Sequence, residues 1–254
     1  DSLSSFVSET VDMAKATAPD KFSGLPEKED LALEIPDLDL ADTTTQLTPQ
    51  EKLDLAEEAE EAATQYDARI TNSEGAEFHN DSNEIVYANS LGFCGSYFTT
   101  SFSLSVVPVA SQDGHMQRDY WYSAQRKFKD LETPKFIGEE AARRTIRRLA
   151  AKRIKTQEAP VVFDPEMAGS LLRHIAAAVS GAALYRKTSF LLDKSGEQVA
   201  AKGVSLIDDG RIMSGLGSKP FDSEGLPTRQ NTIIEDGILT SYLLDTYSAR
   251  KLGS

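Results

Sequence analysis

The chain has 254 residues, 26% charged and 40% hydrophobic, with a formal net charge of −13. This length and balance suit a soluble globular protein with room for more than one sizeable core. A single cysteine, Cys94, excludes an internal disulfide framework, and no apolar run approaches the roughly 20 residues of a membrane-spanning helix. The charge is local. Residues 1–66 hold 17 acidic and 4 basic side chains, whereas the rest of the chain is balanced. Binding to a phosphate backbone needs clustered Lys and Arg, so this balance disfavours direct nucleic-acid binding.

Taken in chain order, residues 1–19 predict a short helix carrying Phe6, Val7, Val11, Met13 and Ala14, ending before Pro19. Residues 20–48 read as an acidic connector punctuated by Gly24, Pro26 and Pro36, with Leu31, Leu33, Ile35, Leu38 and Leu40 singly spaced. Such a strip either docks a partner or lays its leucines on a domain of its own chain, and the second reading is the plainer one. Thr48-Pro49-Gln50-Glu51 then opens a helix with a capping box and Pro at the first position. Its face is a narrow one of alanines and Leu53, and the Glu57–Glu61 cluster is its solvated side.

From Asp67 to Phe128 the period changes to that of strands: 68–71, 76–79, 84–88, 95–109 and 117–123. Gly75, Asn80-Asp81-Ser82, Gly92 and Asp113-Gly114 read as the turns between them, the last a hairpin signal. Asp119-Tyr120-Trp121-Tyr122 reads as packing aromatics, or as one wall of a peptide groove. Residues 138–156 predict a helix whose basic face (Arg143, Arg144, Arg147, Arg148, Lys152, Arg153) either meets nucleic acid or an acidic partner, or, the plainer reading, is a solvated face paired with the acidic helix 49–66. Residues 159–163 predict a short strand.

Asp164-Pro165 caps a helix in which Leu172, Ile175 and Val179 recur at helical spacing, which predicts that the helix is buried. Ser180 to Ala183 are small residues that let another backbone come close. Tyr185-Arg186-Lys187 follows, then a strand at 189–192. Strands are also predicted at 204–207, 232–234 and 238–244, with turns at Asp193–Gly196, Asp208-Asp209-Gly210 and Glu235-Asp236-Gly237.

The stretch 164–190 resembles the TldD/PmbA family of zinc metalloproteases, on its PmbA/TldE side. The catalytic branch of that family carries HExxxH on this helix, followed by an Arg-Lys pair. Anchored on Leu171-Leu172 and Arg186-Lys187, Arg173 stands at the first metal-binding His, His174 at the general-base Glu, and Ala178 at the second His. Arginine cannot ligate zinc and alanine has no donor. The resemblance therefore implies no catalytic and no metal-binding residue in this chain, with zinc and the hydrolytic step in a TldD-like partner. It also implies a cytoplasmic complex acting on unfolded peptides. The alternative is a non-enzymatic protein that modulates DNA gyrase or its inhibitors. Phe221–Gly225 with Pro227-Thr228, and Tyr247–Lys251, resemble two further family loops that either shape a substrate cleft or fix loops. The match is to the middle of a longer family member, and the chain does not begin with Met, so it reads as an internal fragment.

Other candidates are weaker. His79, His115 and His174 lack a second His at ligand spacing, and His174 reads as a hydrogen-bonded structural residue. Cys94 lacks a visible base and reads as a small packed residue. Gly215–Lys219 fails the spacing of a phosphate loop. The expected fold class is α+β, mostly antiparallel sheets with a few packed helices. The expected segments are a first-domain remnant with acidic linker (1–47), a central α+β domain (48–157) and the first part of a C-terminal domain (158–254).

Overall fold

A computed structural model describes residues 2–253. Six helices and seven strands are formed among them: α1 (Ser2–Ala16), α2 (Pro49–Tyr66), β1 (Ile70–Ala88), β2 (Cys94–Gln112), β3 (His115–Arg118), β4 (Trp121–Gln125), α3 (Pro134–Leu149), α4 (Pro165–Ala178), α5 (Gly181–Tyr185), β5 (Leu206–Asp209), β6 (Gln230–Glu235), β7 (Ile238–Leu239) and α6 (Thr246–Leu252). The class is α+β with antiparallel strand pairing. The chain divides into two compact units woven from separate segments: residues 30–162 with 208–230, and residues 1–29 with 163–207 and 231–254.

The first of these units is a sheet carrying two helices. β1 and β2 form one long antiparallel pair, and β3 and β4 both pair with β2. On the face toward the helices, Ile70, Leu104, Val106 and Ala110 pack with Ala59 and Ala63 of α2 and with Ile137, Ala141 and Ala142 of α3. Thr48 caps α2 in the expected capping box, and Thr133 caps α3. The two helices pack through small residues: a Cβ on Gly138 would lie 2.3 Å from the Ala59 carbonyl oxygen and 2.8 Å from the Ala63 nitrogen. The expected pairing of α2 with α3 is thus present, and its seam is built of small residues. Arg143 donates twice to Glu140, at 2.7 and 2.6 Å, and Arg148 lies 3.5 Å from Asp119.

Four expectations fail here, each decided by tertiary packing. Gly75 and Asn80-Asp81-Ser82 do not break β1; Gly75, at φ +115°, sits in a bulge, and residues 80–82 stay paired with 100–102. Thirteen successive cross-strand pairs outweigh the turn preference of three residues. Conversely α3 stops at Leu149 and residues 159–163 form no strand. Between Ala150 and Phe163 no side chain joins a core, and a helix without a packed face is marginal. The Asp113-Gly114 hairpin forms as expected, with φ +53° and +78°.

The acidic connector lays its leucines inward. Leu31, Leu38 and Leu40 are buried, whereas Leu33 is 93% exposed. Leu31 and Ala32 join Phe93 and Phe221 in a small second core. Further on, Asp42 accepts hydrogen bonds from the amides and hydroxyls of Thr44 and Thr45 at 2.7–3.0 Å. Desolvation by itself would raise this carboxyl, but the Thr45 and Thr44 bonds outweigh it and hold it well below the usual range. A depressed carboxylate contributes stability above its unfolded pKa of about 4, and loses that contribution as pH falls toward the folded value. Thermal midpoints should therefore be flat from about pH 7 to 5 and drop below about 4, and Asp42→Asn should shallow that drop. An equal acid slope in the variant would show that these bonds add nothing.

In the other unit, the C-terminal end of α4, the turn at Leu191 and the β6–β7 hairpin supply a core of Ala178, Val179, Leu191, Ile233, Ile234 and Leu239. The β6–β7 hairpin turns at Asp236-Gly237, both at positive φ, as expected from Glu235-Asp236-Gly237. β6 lies between β5 and β7 in a three-stranded sheet. The strand expected at 189–192 is a series of turns instead. Ser189 Oγ donates to the Ala178 carbonyl and accepts from the Leu191 amide, which supplies a local alternative to a ladder.

Candidate functional site

Asp164 accepts from the Glu166 amide and Pro165 opens α4, as the sequence predicts. The helix is not buried along its length, which corrects the expectation. Met167, Leu171 and Leu172 are 56%, 43% and 50% exposed, and only its C-terminal end, at Ala178 and Val179, is docked. The apolar stripe is real and Ile175 packs against the core, but Met167, Leu171 and Leu172 stay exposed.

Arg173 and His174 are exposed on this helix, and Ala178 is buried at its end. His174 has no hydrogen-bond partner among the described residues, so the structural role expected for it is not seen. No three His, Cys, Asp or Glu side chains converge among the described residues in a way that could hold a metal ion. A zinc ion would find on α4 one isolated imidazole beside a permanent guanidinium cation and a methyl group, a donor set that does not fit it.

Ser180 caps α5 directly after α4. The Gly181 amide donates to the Leu243 carbonyl at 2.7 Å, and a Cβ on Gly181 would fall 2.0 Å from Ser248 Oγ of α6. The close approach expected of the small residues is realised here. Next to it, the Tyr185 and Tyr247 rings meet edge-to-face at 5.7 Å. The Lys251 ammonium lies 5.0 Å from the centroid of each ring and 5.7 Å from that of Phe22. Contact with the Tyr247 hydroxyl raises the Lys251 pKa, and the Asp20 charge adds to it. Tyr247 donates to Asp20 at 2.7 Å, and Arg250 donates to the Leu25 carbonyl at 2.8 Å. The Tyr247–Lys251 stretch is thus a helical clamp on residues 20–27. Its ammonium already has aromatic faces and an acid, so its chemistry is holding rather than catalysis.

The Phe221–Gly225 loop is fixed in a similar way. Phe221 is 2% exposed and meets Phe93 and Tyr97, both edge-to-face at 5.2 Å. Asp222 Oδ1 accepts from the Glu224 and Leu226 amides, and the Gly225 carbonyl accepts from Ala32 at 2.9 Å. Both family-like loops therefore hold down parts of the acidic connector.

The remaining candidates resolve plainly. Arg126 donates to the carbonyls of Gly215, Leu216 and Thr100, so the Gly215–Lys219 loop turns its oxygens to a cation and is no phosphate cradle. Cys94 is exposed rather than packed, as it sits at the very start of β2. His79 meets Asp81 at 2.7 Å on the exposed strand, and His115 is exposed. Trp121 donates to Glu132 and lies under Arg144, whereas Tyr120 and Tyr122 stack in the open. A shallow depression of about 480 Å³ is lined by Asn72, Glu74, Val109, Met116, Gln117, Arg118 and Arg148. Arg118 is paired with Glu74 there.

Residues 42–149 match the family model described as the PmbA/TldA metallopeptidase central domain, and residues 156–254 match its C-terminal domain. The chain belongs to the PmbA/TldD family. Metalloprotease PmbA of Escherichia coli O157:H7 is 43% identical over 247 residues, which cover 97% of this chain and 55% of that protein. A metalloprotease TldD homolog of Haemophilus influenzae is 27% identical over 216 residues, 82% of this chain and 45% of the relative. A solved structure from Bacteroides thetaiotaomicron, described as a modulator of DNA gyrase, superposes with a TM-score of 0.94 at 30% identity, over 99% of this chain and 58% of that one. Within the PmbA/TldD family this is a PmbA-like protein, and it spans about half the length of the curated relatives it matches. No helix among the described residues is long and apolar enough to cross a membrane.

Proposed function

We propose that this chain is part of a PmbA/TldE-like subunit of a cytoplasmic zinc metallopeptidase that cleaves unfolded peptides. A TldD-like partner supplies the HExxxH zinc site, and this subunit contributes scaffold and peptide binding. The observation that supports the reading is the chemistry of α4: Arg173, His174 and Ala178, which the family resemblance puts at the HExxxH places, offer no ligand set among the described residues. The identity to PmbA, higher than to the TldD homolog, supports it. Zinc-dependent hydrolysis needs side chains that hold the ion and a carboxylate that activates water, and Arg173 and Ala178 offer no metal ligand. The segments 1–47, 48–157 and 158–254 are read as remnant with linker, central domain and start of the C-terminal domain. Direct nucleic-acid binding is no part of the reading, because the α3 arginines already have Glu140 and Asp119 as neighbours.

The test is reconstitution. The chain alone, its full-length parent and a HExxxH-bearing partner are purified separately and mixed. Cleavage of an unfolded peptide is expected only in the mixture of parent and partner, with zinc found in the partner and activity removed by chelation. Arg173→Ala and His174→Ala in the parent should leave the mixture within about twofold of its rate, since neither touches the metal. Peptide cleavage by the isolated parent, with zinc bound to it, would overturn the reading. The gyrase-related description of the Bacteroides neighbour favours the second reading, a modulator of DNA gyrase or its inhibitors. That reading predicts altered gyrase supercoiling by the parent with no partner present.

A further inference from the structure

β1 is the end strand of its sheet: it pairs with β2 on one side, and no strand among the described residues lies on the other. From Ala76 to Ala88 it runs thirteen residues in unbroken register. In an antiparallel strand every second residue aims its N–H and C=O away from the partner, so this edge presents a long template of unpaired backbone groups. The bulge at residues 73–76 interrupts only the start of the strand.

The side chains say what such an edge would take. β1 and β2 contain no Lys or Arg. Glu77 and Glu84 lie on opposite faces of the strand, and neither has an ion-pair partner among the described residues. Past the Asn80–Phe102 pair the hairpin extends beyond the helix-covered core, and Val86 and Phe98 are 61% and 59% exposed. They are diagonal neighbours on one face, since Phe98 stands opposite Glu84. A second copy of this chain, pairing edge to edge, would add one acidic strand lacking Lys and Arg to another, which is unfavourable.

We propose that the outer edge of β1, Ala76 to Ala88, receives an unfolded cationic peptide as an added strand, with its Lys or Arg side chains meeting Glu77 and Glu84 and an apolar side chain resting on Val86 and Phe98. Main-chain bonds supply affinity without sequence preference, and the acids select charge. The inference deepens the peptide-handling role proposed above by naming the surface and the peptide class. It needs neither the partner nor hydrolysis.

The probe is a fluorescein-labelled decapeptide in which Lys-Lys and Thr-Thr pairs alternate around one central Leu, so that the extended peptide presents Lys on both faces, titrated against the 254-residue chain and read by anisotropy. A second peptide carries the same side chains but is N-methylated at alternate residues, and a third replaces Lys by Glu. The N-methylated and Glu peptides should each bind at least about tenfold more weakly, and so should the Lys peptide to a Glu77→Lys/Glu84→Lys variant. Amide exchange should slow at residues 76–88 on binding. Equal binding of the N-methylated peptide would reduce the effect to charge attraction and overturn the proposal, as would absent binding or protection elsewhere. The N-methylated arm uses unaltered protein, so it decides the matter even if the double variant misfolds. Failure here leaves the subunit reading intact, because reconstituted cleavage is measured separately.

Discussion

Phe221→Ala is expected to lower folding stability by about 3–5 kcal/mol, the range for truncating a fully buried aromatic. Phe221 is 2% exposed and makes two edge-to-face contacts, at interplanar angles of 76° and 84°, with Phe93 and Tyr97. Its ring also fills the space over Gly95, whose Cβ position would lie 3.0 Å from it. Alanine leaves a cavity that cannot readily collapse, because Phe93 also packs against Tyr87 at 5.8 Å. Phe221→Leu keeps more of the volume and should cost about 1–2 kcal/mol. Urea midpoints at constant slope measure both. A second readout separates local from global loss: the Ala32 amide, bonded to the Gly225 carbonyl, should exchange faster in the alanine variant. A loss under about 1 kcal/mol would show that this loop contributes little to the fold.

Gly138→Ala is expected to cost about 2–3 kcal/mol, although alanine is the better helix former. The added methyl would sit 2.3 Å from the Ala59 carbonyl and 2.8 Å from the Ala63 nitrogen, both backbone atoms of α2. Backbone cannot rotate away, so the helices must separate and the buried Ala59, Ala63, Ile137 and Ala141 loosen together. Gly169→Ala is the matching control. Nothing lies within 4 Å of its Cβ position, it is inside α4, and its φ is not positive. There the same change should firm the helix by about 0.5–1 kcal/mol. Circular dichroism and denaturation midpoints should move in opposite directions for the two variants. Loss at both positions would mean that propensity, not packing, is misjudged.

Much of the fold was legible because it is written in short-range chemistry. Thr48 with Glu51, Asp164 with Pro165, Asp113-Gly114 and Asp236-Gly237 all do what their local geometry requires. The inward leucines of the connector were legible from their spacing. Less legible were the elements whose fate depends on a distant partner. Gly75 and Asn80–Ser82 look like turns, yet β2 keeps them extended. The stripe of α4 looks buried, yet Leu171 and Leu172 are exposed. Cys94 looks like core and lies at the start of a strand in the open.

The site divides along the same line. That Arg173 and Ala178 cannot bind zinc follows from side-chain chemistry, which needs no coordinates. That the Tyr247–Lys251 and Phe221–Gly225 stretches are clamps on the connector depends on contacts between residues some 190 to 230 positions apart, such as Tyr247 with Asp20 and Gly225 with Ala32. Composition and periodicity carry caps, turns and faces, because those are set within a few residues. Which face is covered, and by what, is settled only when the chain closes its long loops, since burial is a property of the partner as much as of the residue.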